Sequence, residues 1–329
     1  YSFYGIGDLA AHGAASQRSM GGVGIGLRTP TAINTLNPAS YSAIARQTAL
    51  FYVGMEGQNR YLSSATTSSS YNSFNISEIA LQIPLAKGLG LTVSIAPYSN
   101  IGYRISSEDN SNETWEDIGY VRYMYSGAGG VNTYKLGAGY AITDWLSIGA
   151  QMIYYQGNIT RNYTQSITQV TGSGSYIGLS SDNHEQVNRI LGDFGLQARL
   201  FSQKNSNLTL GLFYSMGGNL NSRISETVMH SPSYTEIGLD EVVNKSYRSS
   251  FRLPHSYGVG LYYSSAKLSA GVDYRYNGWG VNGTDENFDV TYCNTHSVAA
   301  GVQFIPNAGD VRRYLNRWAY RFGIRYDQG

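Results

Sequence analysis

The sequence predicts an all-β fold: a transmembrane antiparallel β-barrel, preceded by a short segment that lies in its lumen. Three observations carry that expectation. Apolar side chains recur at every second position over stretches of about 9 to 11 residues, the length of a tilted membrane-crossing strand. Tyr and Trp gather at the ends of those stretches, as at Trp145, Tyr154, Tyr155, Tyr257, Tyr276 and Trp279, where interfacial girdles belong. Short and long connections alternate along the chain, as they do between the two sides of an outer-membrane barrel.

Composition points the same way. Charged residues make up 14% and hydrophobic residues 42% of the 329 residues, yet no run approaches the ~18 apolar residues of a spanning helix. Ordinary soluble domains carry about 25% charge, so a well-solvated soluble surface is not expected. There are 29 Tyr and 39 Gly, and the net charge is +1, which gives no electrostatic case for nucleic acid. The single cysteine, Cys293, excludes a disulfide framework and a Cys-rich metal site. The chain opens at Tyr1 with no basic-plus-apolar leader, which suggests an exported protein whose signal peptide has been removed.

The alternation locates each strand. Leu208, Leu210, Leu212, Tyr214 and Met216 share one face, while Thr209, Gly211, Phe213 and Ser215 share the other. Leu268, Ala270, Val272, Tyr274 and Tyr276 likewise oppose Ser269, Gly271, Asp273 and Arg275. A soluble sandwich also alternates, but its strands need neither this length nor aromatic ends. The pattern places about eleven strands near 46–58, 74–86, 89–104, 118–142, 145–160, 187–202, 207–220, 254–264, 267–278, 295–305 and 316–328. Segment 118–142 reads as one long strand, bulged at Gly127, Gly129 and Gly130. The long links near 59–72, 104–117, 160–187, 221–254 and 279–294 then all fall on the external side. Single-chain bacterial barrels have even strand numbers. Eleven is odd, and the chain closes on Asp327-Gln328-Gly329 rather than on an aromatic strand, so the expectation is that 46–329 lacks the last strands, about three of them, which gives about fourteen in the full protein unless one strand is miscounted.

Residues 1–45 do not alternate and are rich in Gly, Ala and Ser. Gly22, Gly24 and Gly26 have the look of a nucleotide-binding loop, but no strand–loop–helix context surrounds them. Two readings stand: a plug in the lumen, which is the one adopted, or a disordered tail. The chain thus divides into a plug at 1–45 and a barrel at 46–329. Asn37, Pro38 and Ala39 suit a plug-to-wall transition, because Pro fixes φ and Asn hydrogen-bonds its local backbone; an ordinary turn is the alternative. Glycines such as Gly137, Gly139, Gly149, Gly195, Gly211, Gly258, Gly260, Gly271, Gly301 and Gly323 fall opposite the lipid face. They signal either close approach by another backbone or curvature of the wall. Lys135, Asp193, Arg199, Asp273, Arg275, Arg321 and Arg325 are the lumen-facing charges, placed to pair across the interior or with the plug.

Catalysis has little support. None of His12, His184, His230, His255 and His296 has a persuasive Ser or carboxylate spacing, and no metal-ligand spacing appears. No catalytic residue, metal or cofactor is expected. The external segments 160–187 and 221–254 are rich in Ser, Thr, Asn and Tyr, fit either for a partner or for simple solvation.

The Asn37-Pro38-Ala39 motif, after a Gly-rich stretch and before the first strand, resembles that of the FadL-type outer-membrane transporters. Tyr4-Gly5-Ile6-Gly7-Asp8 and Ile33-Asn34-Thr35-Leu36-Asn37-Pro38-Ala39-Ser40-Tyr41 look like the FadL-like proteins of Bacteroidota. The resemblance is motif-level over 1–45 and architectural beyond. It implies a fourteen-stranded outer-membrane barrel of a Gram-negative bacterium, with an N-terminal hatch in the lumen, passing small hydrophobic molecules without converting them. FadL-like barrels also serve as non-transporting subunits of larger outer-membrane complexes for secretion or barrel assembly, which is the rival reading. Membrane lipid, a hydrophobic small molecule and other envelope proteins are the partners these readings imply.

Overall fold

The computed structural model describes residues 3–63, 68–109, 111, 114, 119–168, 178–203, 206–231, 241–285 and 290–329. The tips of the external links at 64–67, 169–177, 232–240 and 286–289, and most of 110–118, lie outside the described residues. Before the wall come β1 (Asp8–Leu9), one helical turn, α1 (Ala15–Arg18), and a 3-10 turn at Pro38–Ala43. The wall itself is built from β2 (Leu50–Ser63), β3 (Ser68–Ala86), β4 (Leu89–Asp109), β5 (Tyr120–Ala141), β6 (Leu146–Thr168), β7 (Gly178–Gln203), β8 (Ser206–Ser215), β9 (Gly218–Ser231), β10 (Glu241–Leu253), β11 (Ser256–Ser265) and β12 (Leu268–Asn277). A small hairpin, β13 (Thr284–Asp285) and β14 (Val290–Thr291), precedes β15 (Thr295–Phe304) and β16 (Tyr320–Gln328).

One antiparallel path of eleven strands runs β2-β3-β4-β5-β6-β7-β8-β11-β12-β15-β16. These are the eleven strands that the alternation locates. Among the described residues the path ends on β2 and β16, which each pair on one side only.

The faces are inverted relative to a soluble protein. Phe51, Met55, Val93, Ile95, Leu136, Met152, Val272 and Val302 are exposed, whereas Gln82, Thr92, Ser94, Gln151, Asp193, Gln197 and Asp273 are buried. Apolar outside and polar inside is what lipid outside and a lumen inside demand. A soluble sandwich would bury the other face.

Three features differ from the pattern read from the sequence. First, strands continue past the apolar band: β6 reaches Thr168 and β7 starts at Gly178. The links are shorter than expected because, outside the hydrocarbon, a strand needs no apolar alternation. Secondly, the stretch expected as one strand over 207–220 is interrupted at Met216–Gly217, between β8 and β9. The returning β10 and β11 are interrupted at Pro254–His255. Both β8 and β9 pair with β7, so the break is a kink rather than a new turn. It is bridged by Gly217 N–H donating to His255 Nδ1 at 3.2 Å. Pro254 has no N–H for the ladder. Thirdly, the irregularity expected at Gly127, Gly129 and Gly130 belongs to the facing strand. The register slips on β4 between Pro97 and Ser99, while β5 pairs with β6 without interruption. Tyr98 is the extra residue. Gly129 and Gly130, at φ +111° and +154°, let β5 follow the bend that Tyr98 makes.

The wall is uneven in height. β5, β6 and β7 run 22, 23 and 26 residues, against 10 for β12 and β15. The side formed by β5, β6 and β7 therefore continues past the apolar band at its external end.

Candidate functional site

The lumen is the site. Residues 3–49 precede the first wall strand and pack against its inner face, with Ile25, Asn37, Pro38, Ala39 and Tyr41 almost wholly buried. Polar side chains make this packing specific. Gln17 Nε2 donates to Asn34 Oδ1 at 2.6 Å, and Asn34 Nδ2 donates to the carbonyls of Gly24 and Leu27 at 2.7 and 2.9 Å. Those bonds fold the segment on itself. Others tie it to the wall. Gly24 and Ile25 N–H donate to Asp273 Oδ2 at 2.7 and 2.8 Å, Gln197 Nε2 donates to the Ile25 carbonyl at 3.0 Å, and Gln82 Nε2 donates to the Tyr41 carbonyl at 2.9 Å. Tyr41 Oη donates to Gln151 Oε1 at 2.6 Å, and Arg28 Nη1 donates to Ser147 Oγ at 2.5 Å.

Asn37 bonds both its local backbone and the wall. Its Oδ1 accepts from Ala39 N–H at 3.1 Å, capping the 3-10 turn that starts at Pro38. Its Nδ2 also donates to the carbonyls of Ile25 and, on the wall, Leu212, at 2.8 and 3.2 Å. The glycines form the shelf on which this backbone rests. A methyl added to Gly149 would overlap the Pro38–Ala39 peptide, one on Gly195 would overlap Asn37, and one on Gly211 the Ile25 carbonyl. Close approach, not curvature alone, accounts for these glycines.

Of the seven lumen charges, Lys135, Asp193, Arg275 and Arg325 line one cavity of about 470 Å³, together with His12 and residues 9–11. Asp193 Oδ2 accepts from Gln151 at 2.8 Å, and Arg325 pairs with Asp327 on its own strand at 2.8 Å. Asp273 instead holds the N-terminal segment. Arg321 donates to Gln303 at 2.7 Å, away from the cavity, and Arg199 is not among the cavity's lining residues. No pair crosses the interior among the described residues. Enclosure in the lumen, then Lys135, Arg275 and Arg325 nearby, push the His12 imidazole down to about 3. Burial, reinforced by Arg199, pushes the Arg28 guanidinium down to about 10.

Sequence reasoning missed the amides. Gln82, Gln151 and Gln197 hold the segment as firmly as the charges do, and their signal was a polar side chain at every second position opposite the lipid face. It also missed an opening in the wall. β3 and β4 pair only from Ile79–Ile95 to Ala86–Leu89, and part beyond Ile79. The notch is filled by the N-terminal segment. Asp8 and Leu9 pair edgewise with Asn100 and Ser99, Asp8 meets Arg60 of β2 at 2.7 Å, and Arg18 meets Glu56 at 2.8 Å. Residues 9–11 line both the lumen cavity and a second one of about 330 Å³ in the notch, so they are the partition between the two. On the outside, a groove of about 810 Å³ between Phe194, Tyr214 and Tyr257 faces lipid. It lies where the wall is drawn in onto the glycine shelf.

Solved structures share this architecture. The Ralstonia pickettii toluene transporter TbuX is similar at 16% identity over 96% of this chain and 86% of that one, with a TM-score of 0.61. A Pseudomonas aeruginosa FadL homologue is similar at 13% identity over 98% and 81%, TM-score 0.61. The Pseudomonas putida toluene transporter TodX is similar at 16% identity over 99% and 85%, TM-score 0.55. At such identities the likeness concerns the fold, that of an outer-membrane FadL-like barrel. These neighbours are named as transporters or a FadL homologue, not as enzymes. No curated protein matches the sequence. The family model BamG matches residues 1–329, and the chain belongs to the BamG family.

Proposed function

We propose that this chain is a plugged outer-membrane barrel that acts as a non-transporting subunit of a larger envelope complex, in the class of barrel assembly to which its family name points. In this reading residues 1–45 are the plug, 46–329 the wall, and Asn37-Pro38-Ala39 the latch between them. The observation that carries it is the seating of the N-terminal backbone on the lumen glycines, with hydrogen bonds to β3, β6, β7, β8 and β12. A hydrocarbon pathway is less well served by a central cavity in which Lys135, Asp193, Arg275 and Arg325 interrupt an otherwise mostly apolar lining, since an apolar solute there displaces solvent from charged groups. Partners are then other envelope proteins and outer-membrane lipid of a Gram-negative cell.

A second reading, uptake of small hydrophobic molecules, draws on the FadL-like fold and the notch between β3 and β4. Withdrawal of residues 9–11 would join membrane and lumen there. One experiment separates the two. The protein is extracted from its native membrane in mild detergent and its native mass spectrum recorded. Stoichiometric protein companions and no small ligand support the subunit; a lone barrel carrying a hydrophobic molecule supports uptake and overturns the subunit.

A further inference from the structure

The end of the barrel that carries the short turns holds one connection unlike the rest. β3 joins β4 through Lys87–Gly88, and β11 joins β12 through 266–267, but β15 joins β16 through 305–319. Ile305 N–H donates to the Lys267 carbonyl at 2.8 Å, which puts this loop beside the short turns, on the periplasmic side in outer-membrane barrels. It is ordered. Asp310 Oδ1 accepts from the N–H groups of Arg312 and Arg313 at 2.9 and 3.0 Å, and its Oδ2 accepts from Asn316 Nδ2 at 2.6 Å. Asn307 N–H donates to the Asn316 carbonyl at 2.8 Å, closing the base. What this frame displays is apolar and cationic: Val311 is 93% exposed, Tyr314 68% and Leu315 59%. Arg312, Arg313 and Arg317 form no ion pair among the described residues. The Arg317 guanidinium lies 6.0 Å over the Tyr314 ring.

The surrounding charge is mostly positive. Among the described residues, the connections at this end carry Arg46, Lys87, Lys267, Arg312, Arg313 and Arg317 against Asp144 and Asp310, on a chain whose net charge is only +1. We propose that the 305–319 loop is a docking knuckle for an acidic surface of a periplasmic protein. The proposal rests on the subunit reading and names the chemistry of one partner. The six basic groups supply complementary charge, which steers and orients association. Val311, Tyr314, Leu315 and Trp318 supply the apolar and aromatic anchors that desolvated contact centres use. A membrane-lying segment would separate its apolar and cationic residues onto two faces. Here Val311, Arg312, Arg313, Tyr314, Leu315 and Arg317 are interleaved, which suits a protein surface better.

The test is site-specific photocrosslinking in native cells, with benzoylphenylalanine at Val311 or Leu315. It is read in the otherwise natural protein and in the R312E/R313E/R317E and R312Q/R313Q/R317Q variants. Heat-modifiable migration reports that each barrel is folded. Adducts with one protein whose periplasmic part is acidic, falling at least tenfold on charge reversal and partly on neutralisation, support the proposal. Protein adducts indifferent to both variants overturn it, and so do adducts to lipid alone. An intact complex that gives no adduct from either position overturns the docking knuckle but leaves the subunit reading standing. A barrel with no protein companion overturns both.

Discussion

At the scale of single residues, the lumen glycines make the sharpest claim. Gly149→Val would drive a branched side chain into the Pro38–Ala39 peptide, and overpacking of this kind costs about 1–3 kcal/mol. The wall is hydrogen-bonded on both sides at that point, so the N-terminal segment yields instead. Limited proteolysis should cut within residues 13–45 in Gly149→Val and spare the natural protein, with the barrel band unchanged. His12 makes a second claim. Its ordinary value is near 6.5 and its folded value about 3, so the folded state binds fewer protons than the released one. Stability from this residue is whole above pH 6.5 and is lost as pH falls from there toward 3, by about 2 kcal/mol at pH 5. The N-terminal segment should therefore become more protease-sensitive at pH 5 than at pH 7.5, and His12→Gln should flatten that dependence.

At the scale of elements, legibility follows the membrane. The eleven wall strands were visible because lipid on one side and lumen on the other force a period of two. Where that constraint ends, so did the reading. The extensions of β6 and β7 toward 168 and 178 carry polar residues on both faces and looked like loops. The bulge expected at Gly127, Gly129 and Gly130 lies instead at Tyr98 on the facing strand, because glycine is conspicuous in a sequence and a register slip is not. Within the lumen, Lys135, Asp193, Arg275 and Arg325 were legible as charges opposite an apolar face. Their convergence on one cavity was not, since it depends on how four distant strands curve. The notch was invisible for the same reason: the edge of β4 is taken by Asp8 and Leu9, a pairing across some ninety residues of sequence. That pairing is open to a direct check. Asp8 and Asn100 are register partners, and antiparallel partners lie about 4.5–5.5 Å apart at Cα, within disulfide reach. Asp8→Cys with Asn100→Cys should oxidise readily to an internal crosslink, whereas Asp8→Cys with Gly102→Cys should not. Equal yields would mean that residues 8–9 do not hold this register.

At the scale of the whole molecule, the two halves of the chain depend on each other. At Gly90, Gly139, Gly149, Gly211, Gly301 and Gly323 the backbone of the N-terminal segment fills the space that a side chain would take. Neither arrangement is sensible alone: a glycine-lined wall without the segment would surround a wide polar lumen, and the segment without the wall has too little regular structure to fold by itself. Its ties reach β3, β6, β7, β8 and β12, so no single strand controls it. The dependence predicts a conductance experiment. The full-length natural protein in a planar bilayer should show no steady open current, because the hydrogen-bonded segment blocks the lumen. Deleting residues 3–45 removes the bonds that the segment makes to Asp273, Gln197, Gln82 and, through Tyr41, to Gln151, and should give a persistent ohmic pore. Gly149→Val should give intermittent openings between those limits, as the segment leaves and returns. A deletion that conducts no more than the natural protein would mean that the wall collapses onto itself, and that the glycine shelf serves curvature rather than the seating of the N-terminal segment.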